Sequence, residues 1–528
     1  MIGDKLSQIR QQMKYSQEKF AEKIGVSRQT VQRWESGSAS PDLYSMINIA
    51  KKFNVSMDWL NGLSDHRSSN EMRYQSGPIP SYQSLSYWES YAPDVQTDFR
   101  QALDEGKDVD GLREIVEALS KYPEDADKEK LADTVWQIMY RAPQRQDHPY
   151  REPDDLAAIR LLRRERFSLD GLSLPKKDLL RDKLTAAWRG RVCGCLLGQP
   201  VEGIKTGELR LLLRATDNYP MRRYITSADI KNPVSEKIGF PLSERTYSDM
   251  LKNGFPGDDD TNYTFMASYL VEKFGRNFTS NDVCRVWKST QVMNCYCTAE
   301  KVAYRNMIAG YAAPECAVYK NPYREWIGAQ IRGDYFGYIN PGDPETAAEM
   351  AWRDARVSHV KNGIYGEMFV AAMNAAAAVV GSAEEAILCG MSQIPETSRL
   401  YERLQGVLDS YHGGMTWDAF FNGFMQRYDE YLPHDAVHVL SNAELTAAAL
   451  LWGGGDYTKT VGLAVQAGFD TDCNGATAGS VVGMLGGTSV IGAEWTDPVG
   501  DIVNTTVDGL HAVTVDDFVD TILRHAGI

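Results

Sequence analysis

From about residue 155 to residue 528, apolar side chains recur at helical spacing. They run through Ala-rich stretches such as FVAAMNAAAAVV from Phe369 and ELTAAALLW from Glu444. Strands with alternating apolar and polar residues are few, so the pattern predicts an all-α domain. Two of its helices carry a glycine at every fourth position: Gly190, Gly194 and Gly198 in one, Gly475, Gly479 and Gly483 in the other. Glycine in a helix costs about 1 kcal/mol relative to alanine. A smooth glycine face therefore implies close backbone approach, either to another helix or to a ligand, and the spacing admits both.

At 528 residues the chain exceeds what one core serves, since domains of about 150 residues are usual. The expected division is a head at 1–66, a polar Pro/Ser-rich linker at 67–93, a helical middle segment at 94–150 with no legible task, and the large domain at 151–528. No apolar run reaches the roughly 18 residues a membrane span needs. The N-terminus has no apolar core of a secretory signal. Eight cysteines, four of them as C-x-C at Cys193/Cys195 and Cys295/Cys297, suit neither zinc spacing nor a disulfide framework. The expectation is a cytoplasmic protein with reduced thiols and no membrane contact. Net charge is −15, which disfavours nucleic-acid binding by the whole molecule. The head alone carries about +2, the rest about −17, the split expected if only the head meets phosphate.

Within the head, helices are expected at 4–13, 17–24, 28–35, 43–53 and 56–61. Ser16, Ser27, Asp42 and Ser56 stand where a side-chain oxygen can satisfy first-turn amides. Gly25 stands where the second helix must turn. The stretch SQEKFAEKIGVSRQTVQRWESG has the form of a helix-turn-helix, whose second helix enters the major groove while the preceding helix start rests on phosphate. Arg28, Gln29, Thr30, Gln32 and Arg33 are groups suited to base edges or phosphate, with Val31 and Trp34 facing inward. Residues 5–61 resemble the Cro/C1-type (XRE-like) helix-turn-helix family. The resemblance implies contacts to double-stranded DNA from Gln17, Ser27, Arg28, Gln29, Thr30, Gln32 and Arg33, made by a homodimer on a two-part site.

Two acidic segments stand out in the large domain. Gly257-Asp258-Asp259-Asp260-Thr261 opens a helical run, and Gly468-Phe469-Asp470-Thr471-Asp472-Cys473-Asn474-Gly475 opens another in apolar, glycine-rich surroundings. Clustered carboxylates at a helix start favour the dipole but repel one another, and hard oxygen donors of this kind suit Mg²⁺ or Ca²⁺. With AAWRGRVCGCLLGQPVEG, these segments resemble the ADP-ribosylglycohydrolase family over about residues 184–495. The resemblance implies an all-α enzyme that holds two magnesium ions on Asp258, Asp259, Asp260, Asp470 and Asp472. It also implies Glu202 over the scissile bond, with Asp259 and Asp470 the other acid/base candidates, and His359 and Gly475 near the substrate.

The sequence departs from the family pattern in three places. Asp258 stands where Thr or Ser is common, Cys473 where a metal-binding Thr is common, and Cys195 where an acid is usual. A thiol is a poor magnesium ligand, which leaves Asn474 as an alternative oxygen donor. Breaking an ADP-ribosyl bond passes through an oxocarbenium-like state with a leaving group to protonate and a water to activate. The expected function is thus a magnesium-dependent hydrolase of ADP-ribosylated substrates carried by a DNA-binding head. The alternative is a regulator whose large domain senses an ADP-ribose-like or nucleotide ligand without turnover.

Overall fold

The computed structural model describes residues 2–63, 67, 82–85, 88–164, 167–169 and 171–528. They divide into two compact units, Met1–Ser84 and Leu85–Ile528. Residues 68–81 of the expected linker lie outside the described residues.

The first unit consists of helices Ile2–Gln12, Gln17–Ile24, Arg28–Glu35, Leu43–Phe53 and Met57–Leu60. The side chains of Ser16, Ser27, Asp42 and Ser56 each accept a first-turn amide, and Gly25 turns left-handed at φ 75°. These caps fix where each short helix begins, and the apolar stripe behind each one does the rest. Leu6, Ile9, Phe20, Ile24, Val31, Trp34, Ile49 and Trp59 close into one core.

The second unit is helical apart from one antiparallel hairpin, Ile502–Asn504 with Ala512–Thr514, which holds the only strands among the described residues. Phe255 N donates to Ile502 O at 2.9 Å, and Asn504 N donates to Phe255 O at 3.0 Å. The hairpin thereby anchors the loop that leads into Asp258. Among the described residues, no helix is long and apolar enough to cross a membrane.

Both glycine stripes meet each other rather than a ligand. A Cβ on Gly190 would lie 2.2 Å from Gly479 O, and one on Gly194 would lie 2.0 Å from Gly475 O. On Gly198 it would lie 2.3 Å from the Asp472 amide nitrogen. Helix Lys177–Gly198 thus lies backbone-to-backbone on helix Thr471–Gly486, at a separation any side chain would prevent.

The middle segment contributes helices Val95–Asp104, Arg113–Ser120 and Ala126–Arg141. They share a small apolar cluster around Val95, Phe99, Val116 and Val135. Buried polar bonds tie this segment to the large domain: Arg324 meets Asp98 at 2.6 Å and Glu105 at 2.7 Å, and Gln101 Nε2 donates to Glu325 at 2.7 Å.

Candidate active site

Asp258 is the N-cap of helix Asp259–Phe274. Its Oδ1 accepts from the Asp260 amide at 3.1 Å, and its Oδ2 accepts from Gln199 Nε2 at 2.8 Å. Asp260 is fully buried and pairs with Arg191 at 2.9 Å. Arg191 also bonds Asp334 at 2.7 Å and Ile331 O at 2.6 Å, so this guanidinium locks the helix start to the glycine-striped helix.

On the other side, Gly468 and Phe469 both turn left-handed, at φ 75° and 62°. For a phenylalanine that conformation is strained, and such strain gathers at functional sites. After the turn, Asp470 N donates to Asn442 Oδ1 at 3.2 Å, and Thr471 Oγ1 donates to Gly198 O at 2.9 Å.

The close glycine packing and these caps bring ligand atoms of Cys195, Asp258, Asp260 and Asp472 within 4.8 Å of one another. Asp470, Asp472 and Cys473 form a second such group. Beside them opens a cavity of about 580 Å³, whose wall includes Glu202, Asp259, Asp470, Asp472 and Cys473.

Crowding sets the electrostatics. Burial, then the neighbouring carboxylates, holds Asp259 and Asp472 well above the usual carboxylate range. Burial also raises Asp260 strongly, against the opposing charge of Arg191. Glu202 is open to solvent at the wall, yet the surrounding protein, then Asp470 and Asp258, push it up to about 7. The buried Cys195 and Cys473 thiols are raised by burial first and by nearby aspartates second, and stay neutral.

These residues fit a hard divalent cation. Asp472 Oδ1 is buried without a hydrogen-bond partner, and among the described residues no ion pair engages Asp470 or Asp472. A buried carboxylate without compensation is costly, and oxygen-rich clusters of this kind suit Mg²⁺. Another group, Asp104, His434 and His438, also lies within 4.8 Å, but its chemistry differs. Trp326 Nε1 donates to His434 Nδ1, and Leu440 N donates to His438 Nδ1. In a neutral ring the proton then sits on Nε2, leaving no lone pair there for a metal.

Several residues singled out by sequence lie elsewhere. His359 is buried, bonds Ser358 Oγ at 2.8 Å, and is not among the residues lining the cavity. Burial and the Arg332 charge keep its imidazole neutral. Gly475 abuts the Gly194 carbonyl in the helix packing and is not among the residues lining the cavity. Asn474 gives its oxygen to Thr446 Oγ1 at 3.1 Å and its amide to Asn442 at 2.8 Å, and so does not replace Cys473 as a donor.

Sequence reasoning missed Arg191, whose Arg-in-glycine-stripe position was a usable signal. It also missed Asn442, and Trp88, Asp94 and Thr97, which line the same cavity from outside the recognised motifs.

In the head, Arg28, Gln29, Gln32 and Arg33 are exposed along one helix. Ser27 and Thr30 share a 2.8 Å hydroxyl bond. Gln17 Nε2 donates to Glu35 at 2.9 Å, and the same carboxylate holds Arg10 at 2.6 Å. The Gln17 amide is therefore engaged within the head.

The described residues form an all-α domain with an acid-lined cavity, in one chain with a helix-turn-helix head. A profile described as ADP-ribosylglycohydrolase matches residues 176–524, and the chain belongs to that family. A helix-turn-helix profile matches residues 6–60.

Over the head, the chain is 37% identical across 60 residues to the uncharacterized HTH-type transcriptional regulator YqaE of Bacillus subtilis (strain 168). It is 40% identical across 59 residues to the HTH-type transcriptional activator BcrR of Enterococcus faecalis, and 40% across 62 residues to the uncharacterized HTH-type transcriptional regulator YgzD of Bacillus subtilis (strain 168). These matches cover 11% of this chain and 52%, 29% and 94% of those proteins. The chain thus spans about half the length of the first, less than a third of the second and nearly all of the third. A solved structure titled "ADP-ribosylglycohydrolase-related protein complex" aligns with 66% of this chain and 99% of its own, at 19% identity and a TM-score of 0.41.

Proposed function

We propose that the large domain hydrolyses ADP-ribosyl glycosidic bonds with magnesium, and that the head carries this activity to double-stranded DNA as a homodimer. The observation that carries the reading is the gathering of two acidic helix starts at one cavity wall, with Asp472 Oδ1 buried and unpartnered. Asp258, Asp260, Asp470 and Asp472 would hold the cation, and Asp259 faces the cavity beside them.

When bound, a divalent cation supplies positive charge that offsets these carboxylates, orients the sugar and makes a nearby water more acidic. Glu202 stands at the wall with its carboxyl near 7, placed to give a proton to a leaving group or take one from water. Cationic charge at Asp470 and Asp258 would lower that value, since their negative charge contributes to raising it. Arg191 and Asn442 position the two acidic starts without reaching the cavity wall.

The test is incubation of the full chain with Mg²⁺ and a panel of ADP-ribosylated substrates, scored for free ADP-ribose. Product that disappears in Asp470→Ala/Asp472→Ala supports hydrolysis, whereas undiminished turnover by that variant refutes the metal role. A second reading, a ligand sensor without turnover, is favoured by the neutral thiols of Cys195 and Cys473 in the acidic cluster. Magnesium-dependent ADP-ribose binding with no product from any substrate would select it.

A further inference from the structure

The residues before the family domain do more than connect it to the head. Trp88, Asp94 and Thr97 line the same cavity as Glu202, Asp259 and Asp470, although they precede the profile match at residue 176. Their position is fixed by the Arg324 pairs to Asp98 and Glu105, which are buried and hence costly to break. A second tie runs through His434, which meets Asp104 at 2.8 Å and accepts from Trp326 Nε1 at 3.2 Å. This relay couples the added segment to an indole in the cavity wall.

At this wall three aromatic rings meet at steep angles. Tyr323 and Trp326 lie 4.7 Å apart at 67°, and Trp88 lies 6.5 Å from Tyr323 at 82°. Trp88 itself is left-handed at φ 68°. That conformation is unfavourable for a non-glycine residue and persists only where surrounding structure imposes it.

Charge decides what the rings would receive. Lys301 Nζ lies 5.9 Å from the centroid of Trp88, and Arg305 Nη1 donates to the Trp88 carbonyl. With the Lys301 ammonium already over its ring, the Trp88 indole disfavours a second cation there and suits a neutral ring. Burial pushes the Asp94 carboxyl up to about 6 although Tyr323 hydrogen-bonds to it, and Asp94 lines the cavity as a polar group that can face a ring edge.

We propose that Trp88 and Asp94, with Tyr323 and Trp326, form a subsite for a neutral planar heteroaromatic ring of the ligand, so that the segment preceding the family domain sets substrate choice. Within the proposed function, the ring is the base of an ADP-ribosyl group, and to that extent the inference rests on that reading.

The experiment is isothermal titration of ADP-ribose, with Mg²⁺, into the full chain and its variants Trp88→Ala, Trp88→Phe and Asp94→Asn. Thermal melting serves as the check that each variant is folded. Loss of base stacking costs about 1–3 kcal/mol by alanine substitution, so Trp88→Ala should weaken binding about fivefold or more. Trp88→Phe should retain most of the affinity, and Asp94→Asn should weaken it less than Trp88→Ala does. Unchanged affinity in Trp88→Ala overturns the proposal, as does a Trp88→Phe loss equal to that of alanine. If the wild type does not bind ADP-ribose, the proposed function fails and adenosine becomes the probe. Adenosine binding lost in Trp88→Ala would then uphold the ring subsite, and no adenosine binding by the wild type would overturn it as well.

Discussion

Gly194→Ala tests whether close backbone packing builds the site. The added methyl would sit 2.0 Å from Gly475 O and 2.6 Å from its carbonyl carbon, whereas 3.4 Å is ordinary contact. Backbone cannot swing aside as a side-chain tip does, so the two helices must part by more than 1 Å. Over-packing of this kind costs about 1–3 kcal/mol or more, against a helix-propensity gain of about 1 kcal/mol.

The expected net effect is a loss of stability and a fall in melting temperature of several degrees. Because Cys195 and Asp472 ride on these two helices, the separation should also spread the acidic cluster. A ligand at 100 times its Kd adds about 2.7 kcal/mol to a folded state, so the melting-temperature gain from Mg²⁺ should shrink with it. Gly406→Ala is the control: it lies exposed in helix Arg399–His412 with no atom within 4 Å of the added carbon. There the same substitution should stabilise by up to about 1 kcal/mol. Scanning calorimetry of both variants with and without Mg²⁺ decides the matter. A Gly194→Ala protein that melts like the wild type, with an undiminished magnesium response, would falsify the packing argument.

Two further outcomes follow from the geometry. Glu300 is buried at 2% exposure, and burial raises its carboxyl from 4.5 to about 7 despite Arg332. A raised folded-state value gives stability that is present below pH 4.5 and lost as pH rises through 7. Glu300→Gln removes that dependence, so its stability relative to wild type should climb by about 3 kcal/mol between pH 4 and 8; urea unfolding that shows the same difference at both ends would refute the shift. In the head, Arg28→Ala with Gln29→Ala removes two exposed groups from the recognition helix and should abolish specific binding to a selected oligonucleotide. Unchanged gel-shift affinity would overturn the assignment of this face.

The head was readable because its determinants are local. A serine or aspartate hydroxyl or carboxylate at each helix start acts within three residues, and the Ser16, Ser27, Asp42 and Ser56 caps form where the sequence puts them. The acidic motifs at 257–261 and 468–475 were equally visible, since their chemistry lies in adjacent residues. The hairpin at 502–514 was not anticipated, because three-residue strands carry too little alternation to stand out among helices. His359 was not locatable for a related reason: resemblance names a residue type, but burial beside Ser358 and near the Arg332 charge decides what that residue faces.

By itself, then, the sequence determined the helical character, the DNA-reading head and the two carboxylate-bearing helix starts. The tertiary structure decided which of two readings the glycine stripes serve, placing Gly194 on Gly475 and so bringing Cys195 beside Asp472. It also decided that Trp88 and Asp94 share a cavity wall with Tyr323 and Trp326, across more than 200 residues of chain. The physical reason is the range of the forces involved. Capping and periodicity act over one turn of helix, whereas close packing and buried ion pairs such as Arg324 with Asp98 join segments whose spacing in sequence says nothing of their distance in space.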